Sequence, residues 1–232
     1  EERPNHATES QAQAHILSNH TPAAITHLLT LAERKKKPRV AFLVDNAGFE
    51  LVGDLALSDF LLSSGLVAQV SFHLKSHPTF VSDATVKDAR QTLDNLAAAE
   101  NAAVRAMGKR LQAQLNSARL CLLQDWFWTS PLPMWEMPAS LRAQLGRADL
   151  LISKGDANYR RLLGDRHWPF TTPFAEIVSY LPAPLLALRT SKSEVMCGLK
   201  PEQAAALNKK DPTWLVNGKW GLMQLYSKTG DQ

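Results

Sequence analysis

The chain has 232 residues, of which 45% are hydrophobic and 21% charged, and these proportions exclude a disordered or fibrous protein. A chain of this length can bury its own core without disulfide bonds, so one main folding unit is expected. The net charge of +4 is mildly basic, which favours an anionic ligand without requiring nucleic acid.

The cysteine content and the hydropathy of the sequence indicate the cellular compartment of the protein. Cys121 and Cys197 lack the spacing of a zinc or redox site, which fits a reduced intracellular protein with two buried thiols. No stretch approaches the roughly 18 apolar residues of a membrane span, and residues 1–11 lack the apolar core of a signal peptide. We therefore expect a cytoplasmic or nuclear protein that binds neither membranes nor nucleic acid. The oligomeric state stays open.

The first 38 residues are predicted to form a polar tail and a lead-in helix. Residues 1–12 have no apolar periodicity, whereas Thr21 to Glu33 carry apolar residues at helical spacing. The basic run from Arg34 to Arg39 is interpreted as a solvated connector rather than a nucleic-acid patch. A second unit, residues 39–232, follows.

Strands and helices then alternate. Residues 40–44 form a continuous apolar run that predicts a buried parallel strand, and a helix is expected over residues 49–63. A strand over 66–74 is followed by one long helix that Ser82 would cap and that would reach Gln114, with Gly108 as a weak point. Further strands are predicted over residues 119–123, 149–153 and 184–188, and a hairpin over 215–225 with its turn at Asn217-Gly218.

Residues 126–138 fit no regular pattern and are expected to form a loop beside the active site. The tryptophans Trp126, Trp128 and Trp135 could stack against a ligand or pin the loop to the core, and packing is the favoured interpretation.

This rhythm predicts an α/β fold with a doubly wound, mostly parallel sheet, helices on both faces and a short helical lead-in, in the manner of a Rossmann fold. In such sheets the ligand crevice lies outside the carboxyl ends of the strands. Polar clusters follow several predicted strands, so we expect one shared site there.

Three residues of these clusters suit a divalent metal. Asp45 and Asn46 follow the first buried strand and Asp83 follows the next one. Two carboxylates and one amide oxygen suit a hard cation such as magnesium or manganese, which retains several waters.

A second group suits a phosphate. Lys154 and Lys192 supply positive charge, Gly155 permits close approach of the backbone, and a helix beginning after Gly155 would present free N–H groups to an anion. Metal on one phosphoryl oxygen and lysine on another would neutralise the transition state. The residues thus predict metal-dependent hydrolysis of small phosphate monoesters.

Three ordered motifs also resemble those of a known family. They are Val44-Asp45-Asn46-Ala47-Gly48-Phe49-Glu50, Lys154-Gly155-Asp156-Ala157-Asn158-Tyr159-Arg160 and Arg189-Thr190-Ser191-Lys192. Together they resemble the damage-control phosphatases, in the subgroup with an RTxK motif that includes the so-called acidic residue methyltransferase. The resemblance spans roughly Ile16 to Leu225.

The resemblance implies a phosphatase that uses manganese, cobalt, nickel or magnesium and acts on sugar phosphates such as fructose 1-phosphate or fructose 6-phosphate. It implies that Asp45, Asn46 and Asp83 hold the metal. It also implies that Asp156, Asn158, Tyr159 and Lys192 line the substrate pocket. Glu50, Lys154, Gly155 and Arg189 are expected to bind the substrate as well. Glu50 is tied in the family to a proposed S-adenosylmethionine site, although it could instead orient a metal-bound water or cap its helix.

Two other functions stay open. Family members carry a helical domain ahead of the strand at Val40, so this chain is expected to be either an excised catalytic portion or a natural short form, and it could be an inactive metal-binding or regulatory module. A carboxyl methyltransferase that uses S-adenosylmethionine is the other alternative. It is disfavoured because no glycine-rich loop follows a predicted strand.

Overall fold

The computed structural model describes residues 13–34 and 37–227. The predicted tail, residues 1–12, and Lys35 and Lys36 of the basic run lie outside the described residues. The strands are β1 (Ile16–Asn19), β2 (Arg39–Leu43), β3 (Gln69–Lys75), β4 (Leu120–Asp125), β5 (Leu150–Lys154), β6 (Leu185–Thr190) and β7 (Gly221–Tyr226).

The helices lie between these strands. They are α1 (Thr21–Glu33), α2 (Phe49–Ser63), α3 (Val86–Ala97), α4 (Ala102–Asn116), α5 (Ala139–Leu145), α6 (Asp156–Leu162), α7 (Phe174–Ile177) and α8 (Gln203–Lys210). Short 3₁₀ turns occupy Trp126–Thr129 and Met134–Glu136.

The seven strands described form one sheet in the order β1-β7-β6-β5-β2-β3-β4. Every neighbouring pair is parallel except β6 and β7, which run antiparallel. The chain moves outward from β2 through β3 to β4 and then returns to place β5 on the other side of β2. The sheet therefore has its topological switch between β2 and β5, and the predicted α/β class is confirmed.

Alternation along the strands divides the core into two layers. Val40 and Phe42 of β2 belong to the layer beneath α2 and α4, whereas Ala41 and Leu43 belong to the layer that contains Trp214. Because both faces are covered, the central strands are apolar throughout, as expected for parallel sheets.

Most predicted elements are present with shifts of a few residues at their ends, and α1 and α2 have the predicted bounds. No strand is predicted before residue 39, yet β1 pairs with β7 in parallel at the edge of the sheet. This strand has four residues, three of them half-buried and none fully buried, so it leaves little hydrophobic signal.

The single long helix predicted from Ser82 to Gln114 is wrong. Two helices are present, because Thr85 caps α3 in a capping box with Asp88 and Asn101 caps α4. Gly108 is buried where α4 crosses the end of α3. A Cβ atom there would lie 2.3 Å from the backbone nitrogen of Ala97, so close packing requires the glycine.

The predicted hairpin over 215–225 is also wrong. A turn does occur at Asn217-Gly218, and Gly218 has φ +73°. The strand after it, β7, pairs with β6 and β1, and residues 215–217 lie outside the sheet.

The tryptophan loop and the cysteines are only partly as expected. Trp128 is buried against Phe127, which confirms packing there, whereas Trp126 is 69% exposed and stacks beside His77. Cys197 is a buried thiol, but Cys121 is half-exposed because its strand lies at the sheet edge. Within the described residues, no helix is long and apolar enough to cross a membrane.

Substituting Gly108 tests the crossing of α3 and α4. We expect Gly108→Ala to lower the free energy of unfolding by about 1–3 kcal/mol, since the added methyl group meets backbone that cannot move aside. Gly53→Ala in α2 is the control, because a Cβ there meets nothing within 4 Å and should stabilise the helix by about 0.5–1 kcal/mol. Urea denaturation measures both, and equal effects would contradict the account.

Candidate active site

The main cleft described lies at the carboxyl ends of the strands on both sides of the topological switch. Its volume is about 1080 Å³. Residues that follow β2, β3, β5 and β6 line it, and the segment from Gly218 to Met223 closes one side with His15 and Ile16. The predicted location of the site is thus the location of a large cavity.

Backbone hydrogen bonds hold the segment around Asn46 beside the segment around Asp83. The two segments are far apart in the sequence, since 36 positions separate Asn46 from Ser82. The amide of Ala47 donates to Ser82 O at 2.7 Å, and the amide of Ala84 donates to Asp45 O at 2.8 Å. The segment after β3 therefore runs antiparallel to the segment after β2 for a short stretch.

The side-chain amide of Asn46 is held in one orientation. Its Nδ2 donates to Asp45 Oδ2 at 2.9 Å and to Glu50 Oε2 at 3.0 Å. Its Oδ1 accepts a hydrogen bond of 2.6 Å from the hydroxyl of Ser82. Two carboxylates thus fix the nitrogen, so the oxygen is turned towards the exposed Ser82.

Asp45 is 6% exposed, and its Oδ1 has no hydrogen-bond partner among the described residues. Burial, together with the carboxylates of Glu50 and Asp83, raises the pKa of Asp45 to about 7. Gly155, at φ +84°, lies against this carboxylate, and a Cβ atom there would be 1.8 Å from Asp45 Oδ2. Only glycine leaves room for Asp45 at this place.

Lys75 supplies a buried positive charge that the sequence-based site omits. At the end of β3, its Nζ lies 3.1 Å from Asp83 Oδ2 and donates to Trp128 O at 3.1 Å. Both side chains of the ion pair are 4% exposed. Position at a strand end is the signal that could have identified Lys75.

Lys154 lines the cleft, as expected, but two carboxylates pair with its ammonium group. Its Nζ lies 2.8 Å from Asp54 Oδ1 and 3.2 Å from Glu50 Oε1. Burial alone would lower the pKa of Lys154, but the two carboxylates outweigh it and raise that pKa. Glu50 is also no helix cap, because its carboxylate binds Lys154 and Asn46 instead.

Arg189 is directed into the protein rather than into the cleft. Its guanidinium binds Asp156, the carbonyls of Ser193 and Val195 and the hydroxyl of Ser193. It also lies 4.3 Å from the ring centre of Tyr159. Asp156 reaches the cleft, but Oδ1 of its carboxylate accepts from Arg189 and from the amide of Lys192. These contacts shape the loop after β6.

Asn158 and Tyr159 lie beneath the cleft, since each is 1% exposed, and this differs from the expectation that they line it. Asn158 Nδ2 donates to the carbonyls of Leu43, Val44 and Lys154, so it ties the ends of β2 and β5 together. The Tyr159 hydroxyl donates to Gln224 at 2.8 Å in the core.

Lys192 and Lys219 are exposed residues of the cleft wall. In the described part of the chain neither side chain forms an ion pair with a carboxylate, unlike Lys154, Arg160 and Arg189. Lys192 is near enough to Asp45 to lower the pKa of that carboxyl slightly against the larger effect of burial. Of the two lysines expected to supply positive charge, Lys192 is thus the one without a carboxylate partner among the described residues.

The charge of the site fits a divalent cation. The carboxylates of Asp45, Glu50, Asp54 and Asp83, when ionised, exceed the ammonium groups of Lys75 and Lys154 by two negative charges. The described residues contain no group of three or more His, Cys, Asp and Glu side chains placed to hold a metal. Asp45, Asn46 and Asp83, two carboxylates and an amide, would leave such a cation with several waters.

Comparison with known proteins places this geometry in a family. A sequence profile of the damage-control phosphatase ARMT1-like domain matches residues 1–207. The chain belongs to this family. The resemblance to the damage-control phosphatases that the three motifs carry is thus confirmed.

Curated relatives of this ARMT1-like chain include damage-control phosphatase ARMT1 from Rattus norvegicus, 41% identical over 90% of this chain and 49% of the rat protein. The Bos taurus protein of the same name is 42% identical over 83% of this chain and 44% of its own length. The chain thus spans about half the length of these relatives. A DUF89 family protein from Pyrococcus horikoshii, solved as a crystal structure, is similar to it with a TM-score of 0.49 and 15% identity over 89% of this chain and 52% of that chain.

The raised pKa of Asp45 predicts how pH affects the metal-free domain. The folded state retains a proton that the unfolded state releases above its ordinary pKa of 3.8, so stability falls as pH rises from about 4 and the loss is complete above about 7. Asp45→Asn cannot ionise. We expect it to be more stable than wild type at pH 8 by on the order of 3 kcal/mol.

Chemical denaturation in chelator at pH 4, 6 and 8 measures this difference. The two proteins should be closest in stability at pH 4. If the free energies of unfolding of wild type and Asp45→Asn change with pH in parallel, burial does not raise the pKa of Asp45.

Proposed function

We propose that this chain is a divalent-metal-dependent phosphatase domain that hydrolyses small phosphate monoesters. The supporting observation is the acidic cluster around the unpartnered Oδ1 of Asp45, which shares one cleft with Lys192. Membership of the ARMT1-like family supports the same reaction class.

Asp45, Asn46 and Asp83 would hold the cation, as two carboxylates and an amide suit magnesium, manganese, cobalt or nickel. When bound, the metal supplies Lewis-acid polarisation of a phosphoryl oxygen and lowers the pKa of a bound water. The excess of two negative charges gives the protein a reason to bind a divalent ion here.

Lys192, with Lys219 nearby on the same wall, would bind the remaining phosphoryl oxygens and neutralise charge in the transition state. Both are exposed, so they can adjust to the phosphate. Gly155 leaves room for the Asp45 carboxylate at the edge of the cleft, and Asp156 and Arg189 keep the loop that carries Lys192 in place.

Sugar phosphates are the proposed substrates, with fructose 1-phosphate and fructose 6-phosphate first among them. A cleft of about 1080 Å³ is large enough for a hexose phosphate. The match of the three motifs to the RTxK subgroup supports this class. Glu50 is assigned to holding Asn46 and Lys154, since its carboxylate contacts both.

Phosphate release from a panel of sugar phosphates tests the proposal, with manganese, cobalt, nickel or magnesium added to chelator-treated protein. We expect metal-dependent turnover that Asp45→Ala lowers at least about a hundredfold, because a metal ligand contributes several kcal/mol to catalysis. If the folded wild-type domain binds metal but releases phosphate from none of these substrates, it is instead an inactive metal-binding module. Turnover unaffected by Asp45→Ala would refute the metal assignment.

Lys192→Met tests the substrate-binding role. We expect KM for the best sugar phosphate to rise about tenfold, as one charged hydrogen bond to phosphate is lost. Lys109→Met on α4 is the matched control, because Lys109 is exposed and does not line the cleft. If steady-state kinetics show the same change in KM for both variants, Lys192 does not bind the substrate.

A further inference from the structure

Asp54 is a buried carboxylate that lies behind the cleft. It follows Glu50 by four positions on α2 and is 4% exposed. Its Oδ1 accepts from Lys154 Nζ at 2.8 Å, and its Oδ2 has no hydrogen-bond partner among the described residues. Lys154 is thus the cation that offsets this buried charge.

A continuous chain of contacts leads from Asp54 to the proposed metal ligands. Lys154 Nζ binds Asp54 on one side and Glu50 Oε1, at 3.2 Å, on the other. The second oxygen of Glu50 accepts from Asn46 Nδ2 at 3.0 Å. The orientation of the Asn46 amide therefore depends in part on where Lys154 holds Glu50, and in part on Asp45 Oδ2, which accepts from the same nitrogen.

Stability alone gives no reason for a carboxylate at position 54. Replacing a buried ion pair by apolar residues of similar size is often neutral or stabilising. A leucine on this face of α2 would join Leu51 and Leu55, which are fully buried in the same layer. A carboxylate that needs a lysine partner beside the cleft indicates a role in the site.

We propose that Asp54 is a positioning residue that acts through Lys154 and Glu50 to keep the oxygen of Asn46 directed at the cation. This inference rests on the proposed metal dependence. Without Asp54, Lys154 would be attracted to Glu50 alone and would draw it from Asn46. The amide could then rotate and present its nitrogen, which repels a cation.

Asp59 provides a matched control on the same helix. It is 6% exposed, and Arg110 of α4 holds its carboxylate, with Nη2 2.6 Å from Oδ2. Asp59→Asn therefore removes another buried carboxylate of α2 from its ion pair, although the side chain of its partner Arg110 is 49% exposed. This ion pair joins α2 to α4 and does not reach the cleft. The variant therefore measures the effect of a lost ion pair alone.

Manganese affinity of the full chain, read from the electron paramagnetic resonance signal of unbound Mn²⁺, tests the inference without any assay of turnover. We expect Asp54→Asn to weaken Mn²⁺ binding about tenfold, at the low end of the effect of outer-shell partners. Asp59→Asn should leave the affinity at the wild-type value. Equal losses in the two variants would overturn the inference.

A double-mutant cycle separates positioning from a general charge effect. In a Glu50→Ala background the path to Asn46 is cut, so Asp54→Asn should have no further effect on Mn²⁺ affinity. If the two substitutions add, Asp54 acts only through its charge and the inference is wrong.

Folding of each variant is checked by circular dichroism. If Asp54→Asn does not fold, the pair Asp54→Asn with Lys154→Met removes both buried charges together and should still weaken Mn²⁺ binding. Wild-type affinity in that pair would overturn the inference. A wild-type domain that binds no Mn²⁺, and no Co²⁺, Ni²⁺ or Mg²⁺ by calorimetry, refutes the proposed metal dependence itself. Mn²⁺ affinity that Asp54→Asn leaves unchanged refutes only the role of this residue.

Discussion

Burial of more negative than positive charge at the junction of β2 and β5 is the constraint on which the site depends. Carboxylates are costly to bury unless they are paired or bind metal. Lys75 and Lys154 offset part of the charge, and Asp45 retains an oxygen without a partner. The proposed divalent cation would offset the negative charge that these lysines leave.

The fold meets this constraint with its backbone as well as its side chains. Parallel strands bring their carboxyl ends to one edge, where Asp45 and Gly155 meet across the switch point. Asn158 binds the carbonyls at the ends of both strands and so holds the two segments at a fixed distance. Asn158 thus lies buried beneath the cleft, while the exposed Lys192 lines its wall.

The sequence was sufficient for the strands from β2 to β6 and for the grouping of Asp45, Asn46 and Asp83, because apolar runs mark buried strands and polar residues after them share one edge. The sequence was insufficient to predict which charged side chains form ion pairs and which distant strands are neighbours. Whether Lys154 is available to a ligand depends on Asp54, which lies on another element, and position along the chain does not reveal that contact. The same limit concealed β1, whose partner strand lies about two hundred residues later.

The pairing of β1 with β7 also affects how the site forms. His15 and Ile16 on one strand and Gly221 to Met223 on the other make up one wall of the cleft. Among the described strands β1 is made first, and its partner β7 is made last. The wall of the cleft that β1 and β7 form can therefore be completed only after the strands that carry the acidic cluster have been made.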